Sequence, residues 1–225
     1  MKEAVVLIVS YFLGTVPIGL IVGKVTRGID IRDFGSGNIG ATNVLRTLGP
    51  GPAAIVSIGD TLKGFLAVIL ALKIISAPHQ PIIVIAAGLL SIVGHSASPF
   101  LRFKGGKGVA TSLGVIIGMN PMIAAISFVL WVAIVAVCRY VSVASIIASS
   151  SVSVQMYFSG TLFHKKVPRE YTIFALAAAL LIIIRHCSNI GRLIHGTEPK
   201  FGQKVKLEKE VNSDEGDEPS RLPGS

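Results

Sequence analysis

Long apolar runs alternate with short polar segments along this chain. The first run is Ala4 to Gly23, in which Pro17 and nearby glycines are set to bend a helix. The second is Pro52 to about Ala77, and after the turn Pro78-His79-Gln80-Pro81 the third is Ile82 to Leu101. Each reaches the roughly 20 residues that a helix needs to cross a bilayer. Val109 to Met119 holds only 11 residues before Asn120-Pro121 interrupts, and Met122 to Cys138 adds 17. One long kinked helix or two separate helices fit that pattern. Val141 to Gly160 is rich in Ser and β-branched residues, and its serines are expected to face neighbouring helices rather than lipid. Tyr171 to Ile184 is the last apolar run.

The polar segments are too patterned for linkers. Lys24 to Gly51 carries Asp30 and Asp33, then Gly35-Ser-Gly-Asn-Ile-Gly-Ala-Thr-Asn43 and Arg46. Within it, Ala41 to Leu48 predicts a short helix at the membrane surface. Gly94 to Thr111 encloses Lys104-Gly105-Gly106-Lys107-Gly108. After the last run come Arg185-His186 and the segment from Asn189 to Glu198. The final stretch, 203–225, is Lys, Glu, Asp, Pro and Ser with few apolar residues, and reads as a disordered polar tail. The division is therefore a single integral-membrane domain over 1–202 and that tail. The apolar run after Met1-Lys-Glu has no Ala-x-Ala at its end, so it reads as a retained span rather than a cleaved signal.

Composition agrees with the runs. The chain is 51% hydrophobic and 15% charged, against about a quarter charged in a soluble domain. The expected fold is an all-α, polytopic membrane helix bundle. The net charge of +9 bears first on topology and anionic headgroups. Nucleic acid is not expected as a partner, because the basic residues are scattered over short loops. Seven transmembrane helices, with the N-terminus outside and the C-terminus cytoplasmic, satisfy the positive-inside rule. That arrangement places Lys24, Arg27, Arg32, Arg46, Arg102, Lys104, Lys107, Arg139, Arg185, Arg192, Lys200 and Lys204 inside, and only Lys2, Lys73, Lys165, Lys166 and Arg169 outside. It also gathers the three polar segments on one face, where a six-span arrangement would scatter them.

The chemistry these segments suit is phosphate binding. Arg46 offers a planar fork for two oxygens. The first segment adds the hydroxyl of Ser36 and the side chains of Asn38, Thr42 and Asn43. Gly105, Gly106 and Gly108 can fold into a nest of backbone N–H groups, with Lys104 and Lys107 as point charges. His186, Asn189 and Arg192 recur at three-residue spacing, and an imidazole is suited to moving a proton near neutral pH. Asp60 and Lys63, also three apart, share one face of the second span at membrane depth. They are either an ion pair that staples the bundle or part of a substrate pocket. Taken singly, His95 and His186 are ordinary at helix ends and Ser36 in a turn; convergence of the segments favours a site.

Several chemistries are excluded. A Walker A motif would need Gly at Leu101 and Ser or Thr at Gly108. No histidine stands at the His-x4-Asp spacing of one acyltransferase class, and there is no Gly-x-Ser-x-Gly elbow. Asp60 is the only intramembrane aspartate, and Cys138 and Cys187 have no metal-ligand spacing, so no metal site is expected.

The three segments, in order, resemble the motifs of the bacterial acyl-phosphate:glycerol-3-phosphate acyltransferases. The likeness runs from Ala4 to about Lys200 and includes Asp60-x-x-Lys63-Gly64. It implies a seven-span enzyme of the bacterial inner membrane with its active site on the cytoplasmic face. The reaction implied moves an acyl group from acyl phosphate to the sn-1 hydroxyl of glycerol 3-phosphate, giving lysophosphatidic acid in phospholipid biosynthesis. It implies that Ser36 and Arg46 act on substrate, that Gly105, Gly106 and Gly108 hold the acceptor's phosphate, that His186 and Asn189 are catalytic or orienting, and that Glu198 is structural. It implies no cofactor, no direct use of acyl-CoA or acyl carrier protein, and a functional link to the enzyme that makes acyl phosphate. Two other classes remain open from the residues alone: a transporter for a phosphorylated solute, and a headgroup-binding scaffold.

Overall fold

A computed structural model describes residues 1–76, 78–164 and 167–203. The tail from 204 onward, and Lys165 and Lys166, lie outside the described residues. Every secondary-structure element among the described residues is a helix. The first apolar run is split by Pro17, which lacks the N–H that would continue the ladder; α1 spans Lys2–Thr15 and α2 spans Ile18–Arg27. Next come α3 (Ala41–Leu48), α4 (Pro50–Ile74) and α5 (Gln80–Ser96). The helix α5 stops earlier than its apolar run, and a 3-10 turn at Pro99–Leu101 takes the rest. Beyond it, α6 is Val109–Met119 and α7 is Pro121–Cys138. The Asn120 side chain caps α7 by accepting from the Ile123 N–H at 3.1 Å, so Asn120-Pro121 makes two helices rather than one kinked helix. The remaining helices are α8 (Val141–Tyr157), α9 (Ser159–Phe163), α10 (Arg169–Arg185) and α11 (Cys187–Ile194).

Among the described residues, four stretches suffice by length and composition to cross a bilayer: Lys2–Arg27, Pro50–Ile74, Gln80–Leu101 and Pro121–Cys138. The pair Arg169–Arg185 and Cys187–Ile194, bent by 56°, adds a fifth if the two helices are counted as one span. Val109–Met119 and Val141–Tyr157 are apolar but shorter. The outer faces are greasy, as a lipid solvent requires. Ile58, Leu62 and Leu66 line the outside of α4 while Asp60 and Lys63 point inward. Ile173, Leu176, Leu180 and Ile184 do the same on α10, with Phe174, Ala178 and Ile182 buried behind them.

Packing relies on close backbone approach, the usual substitute for a hydrophobic driving force inside lipid. A Cβ on Gly114 of α6 would sit 1.8 Å from the Thr61 carbonyl oxygen of α4, and one on Gly64 of α4 would sit 2.1 Å from that of Thr111. The helices α1 and α5 are joined in the same reciprocal way, Gly14 against Ser91 and Gly94 against Tyr11. A second, smaller core of Val22, Ile31, Ile39, Val44, Val56 and Leu101 supports the segment between α2 and α3. These contacts set the ends of α3, α5, α6, α10 and α11 around one cavity.

Candidate active site

The Ser36 to Arg46 segment is organised by Asn43. Its amide nitrogen donates to the carbonyls of Ile31, Phe34 and Asn38 at 3.1, 3.0 and 2.9 Å, and its amide oxygen accepts the Ser36 N–H at 2.9 Å. Asn43 is 2% exposed, and these hydrogen bonds commit its amide to the loop and fix Ser36. Asn38 accepts the Gly40 N–H at 2.9 Å, making the turn that leads into α3. Arg46 comes from the last turn of α3. One guanidinium nitrogen donates to the Pro199 carbonyl at 3.0 Å, while its Nε is buried and has no hydrogen-bond partner among the described residues. Burial lowers the Arg46 pKa, and Glu198 offsets part of that.

The glycine-lysine loop differs from a free nest of N–H groups. Gly105 N–H donates to the Ser96 carbonyl and Gly106 N–H to the His95 carbonyl, each at 3.1 Å. The carbonyls of Gly105 and Gly106 accept from the Arg185 guanidinium at 2.9 and 3.1 Å. The loop is thus a strut between α5 and the end of α10, and its N–H groups at 105 and 106 are spent. Gly108 turns the chain into α6 at φ 82°, a left-handed conformation that favours glycine. Lys107 enters the cavity, whereas Lys104 is exposed at the surface.

Glu198 is the hub of the third segment. One oxygen accepts from Ser142 at 2.8 Å and from Asn189 at 2.6 Å; the other pairs with Arg192 at 2.8 Å. Burial works to raise the Glu198 carboxyl, but hydrogen bonds from Asn189, Ser142 and Arg192 outweigh it and hold the pKa below its usual value. Asn189 oxygen accepts from the Lys107 ammonium. Burial, opposed by Glu198 and helped by Arg192, Arg46 and Arg185, brings Lys107 down to about 8. His186 lies at the bend between α10 and α11. Its Nδ1 is 2.8 Å from the Ile182 carbonyl, which only accepts, so Nδ1 carries the proton and Nε2 the free lone pair. Burial, with Lys107 nearby, lowers His186 to about 4.

These groups share a cavity of about 500 Å³. Its polar end has Ser36, Asn38, Thr42, Asn43, Arg46, Lys107, Gly108, His186, Asn189 and Glu198, with Asp60 and His95 on its wall. Its apolar end runs between α6, α7, α8 and α10, past Ile116, Phe128, Trp131, Val152, Ala178 and Ile182. Lys104, Gly105, Gly106 and Lys63 do not line it. Lys63 stands behind the wall, 2.8 Å from the Asp60 carboxylate. Arg185 and Ser142 were not singled out as site residues from sequence; Arg185 is signalled only by its place beside His186, and Ser142 by nothing in a Ser-rich helix. Among the described residues no three of His, Cys, Asp and Glu gather as a metal site needs.

The fold and the cavity define an integral-membrane protein with a cationic polar pocket that continues into an apolar chamber. The family model for glycerol-3-phosphate acyltransferase matches residues 4–196. The glycerol-3-phosphate acyltransferase of Nostoc sp. is 44% identical over 222 residues, 92% of this chain and 96% of that protein. The one from Desulforudis audaxviator is 44% identical over 200 residues, 88% and 96% of the two chains. A crystal structure of PlsY, an integral membrane glycerol 3-phosphate acyltransferase, in its glycerol 3-phosphate form, is similar with TM-score 0.81 and 38% identity, covering 90% of this chain and 96% of that one. A lysophosphatidic acid form of PlsY is similar with TM-score 0.80. The chain belongs to the glycerol-3-phosphate acyltransferase family.

Proposed function

We propose that this protein transfers an acyl group from acyl phosphate to the sn-1 hydroxyl of glycerol 3-phosphate, releasing 1-acyl-glycerol 3-phosphate and phosphate. The observation that carries the reading is the continuity of one cavity from Arg46, Lys107 and His186 to the apolar chamber between α7, α8 and α10. The polar end suits two phosphates of like charge; the apolar end suits an acyl chain. Phe128 is 50% exposed at the outer face and also borders the chamber, so a chain can enter sideways from lipid.

Acyl phosphate is already activated, and phosphate leaves readily. The protein's task is orientation, which can supply roughly 7 kcal/mol or more. The partnerless Nε of Arg46 and the Lys107 ammonium hold phosphate. The His186 Nε2 lone pair accepts the proton of the attacking hydroxyl, with a substrate phosphate oxygen as the alternative base. Ser36 donates a hydrogen bond to the reacting group, and no acyl-enzyme forms. Asn189 and Glu198 position Lys107. Lys104 acts from the surface as a general attraction for anions.

The same reading takes 1–202 as one membrane domain of seven spans, with α6 and α8 as its shorter crossings, the N-terminus outside and the polar end facing the cytoplasm of a bacterial inner membrane. Acyl phosphate then comes from a separate enzyme. The test is an assay of the purified protein with palmitoyl phosphate and glycerol 3-phosphate. Labelled 1-palmitoyl-glycerol 3-phosphate with matching phosphate release is expected. Solute counterflow in proteoliposomes without acyl transfer would instead identify a transporter.

A further inference from the structure

Asp60, Lys63 and His95 are buried together, at 2%, 5% and 4% exposure, beneath the glycine loop. The acyl transfer proposed above gives them no part. Lys63 lies 2.8 Å from the Asp60 carboxylate, 2.7 Å from His95 Nδ1 and 3.2 Å from the Val16 carbonyl. An ammonium only donates, so Nδ1 accepts and the ring proton sits on Nε2. The cluster therefore fixes both the tautomer and the tilt of the imidazole.

The Nε2 edge of that ring occupies the space beside Gly106. A Cβ built on Gly106 would sit 2.0 Å from Nε2 and 2.7 Å from Cε1. A Cβ on Gly105 would sit 2.0 Å from the His95 carbonyl oxygen, the same carbonyl that accepts from Gly106 N–H at 3.1 Å. Both glycines are shaped around His95, and the residue that follows them is Lys107.

We propose that His95, held by Lys63 and Asp60, is a positioning residue that sets the glycine loop and through it the Lys107 ammonium, and that Gly106 lacks a side chain to admit the imidazole rather than a phosphate. This rests on reading the cavity as the glycerol 3-phosphate site. The mutual ion pair and the pocket, open alternatives for Asp60 and Lys63 from sequence, become one device: the pair braces the ring, and the ring braces the loop.

The test compares wild type, Gly106→Ala, His95→Asn and the double variant. Asparagine keeps a polar group near Nδ1 for Lys63 and removes the Nε2 edge. A displacement of about 1 Å in a substrate-holding group costs up to about a hundredfold, so Gly106→Ala should raise the KM for glycerol 3-phosphate by about tenfold or more with a smaller change in kcat. In the double variant the clash is gone, and its KM should be no higher than that of His95→Asn alone. Losses that multiply in the double variant would mean independent causes and would overturn the proposal. Wild-type kinetics in Gly106→Ala would also overturn it. If Gly106→Ala fails to fold, recovery of yield and melting temperature on adding His95→Asn supports the proposal, and no recovery overturns it. Absence of turnover in wild type would sink the acyltransferase reading alone, and the melting temperatures of the four proteins would still decide the role of His95.

Discussion

Lys107 donates to the amide oxygen of Asn189, and Asn189 donates in turn to Glu198 at 2.6 Å. A cation from the loop before α6 is thereby tied to the carboxylate after α11. Burial leaves the Lys107 ammonium with a pKa of about 8. It is charged below that value and neutral above it. If it holds phosphate, the KM for glycerol 3-phosphate is flat at neutral pH and rises through about pH 8. Initial rates across pH 6.5 to 9.5 should show a climb approaching about tenfold per unit.

Glu198 favours the charged form of Lys107 across this network. Glu198→Gln keeps acceptors for Ser142 and Asn189 but removes the charge. The alkaline limb in KM should move to lower pH, and Arg192 should lose its ion pair. An unmoved limb would mean that Lys107 is not the group being titrated.

His186 is held neutral at physiological pH, its value lowered to about 4 by burial. Protonation sets in only as pH falls toward that value, so Nε2 keeps its lone pair free at pH 6. His186→Ala should lower kcat by about a hundredfold or more, the range for loss of a general base, with a smaller effect on KM. A large rise in KM at constant kcat would assign His186 to binding.

Arg46 combines a bond to Pro199 with a buried, partnerless Nε. Lysine has charge but no fork. Arg46→Lys should weaken phosphate binding by about ten- to a hundredfold, one charge-assisted hydrogen bond being worth about 1.5–3 kcal/mol. Binding of glycerol 3-phosphate by calorimetry in nanodiscs would measure it.

Glycines in this chain divide by what surrounds them. Gly114 faces the Thr61 carbonyl oxygen at 1.8 Å from a built Cβ, whereas Gly191 in α11 has nothing within 4 Å. Gly114→Ala should separate α6 from α4 and lower the melting temperature sharply. Gly191→Ala should raise helix stability by roughly 0.5–1 kcal/mol. Melting curves of both variants in detergent would check the contrast.

The legibility of the sequence follows the same division between local and distant causes. Ala41–Leu48 and Val109–Met119 were readable to the residue because glycines and Asn120-Pro121 bracket them. The groups at the polar end of the cavity were readable because they lie in three compact segments. The pairing of Gly105 and Gly106 N–H groups with α5 was not, since a bond between backbones leaves no mark on side-chain pattern. Asn43 was expected to touch substrate, and only the folded loop reveals that Ile31, Phe34 and Asn38 use its amide. The count of spans was hardest, because α6 has 11 residues and sits against α4 through glycines rather than by length.

The most direct test is a rapid-quench experiment with acyl phosphate labelled in its acyl group. The purified protein is mixed with the donor, quenched, and quenched again after glycerol 3-phosphate is added. Direct transfer predicts no label on the protein in the first quench and label in 1-acyl-glycerol 3-phosphate, with equimolar phosphate, in the second. Label held covalently at Ser36, or no transfer to glycerol 3-phosphate, would contradict it.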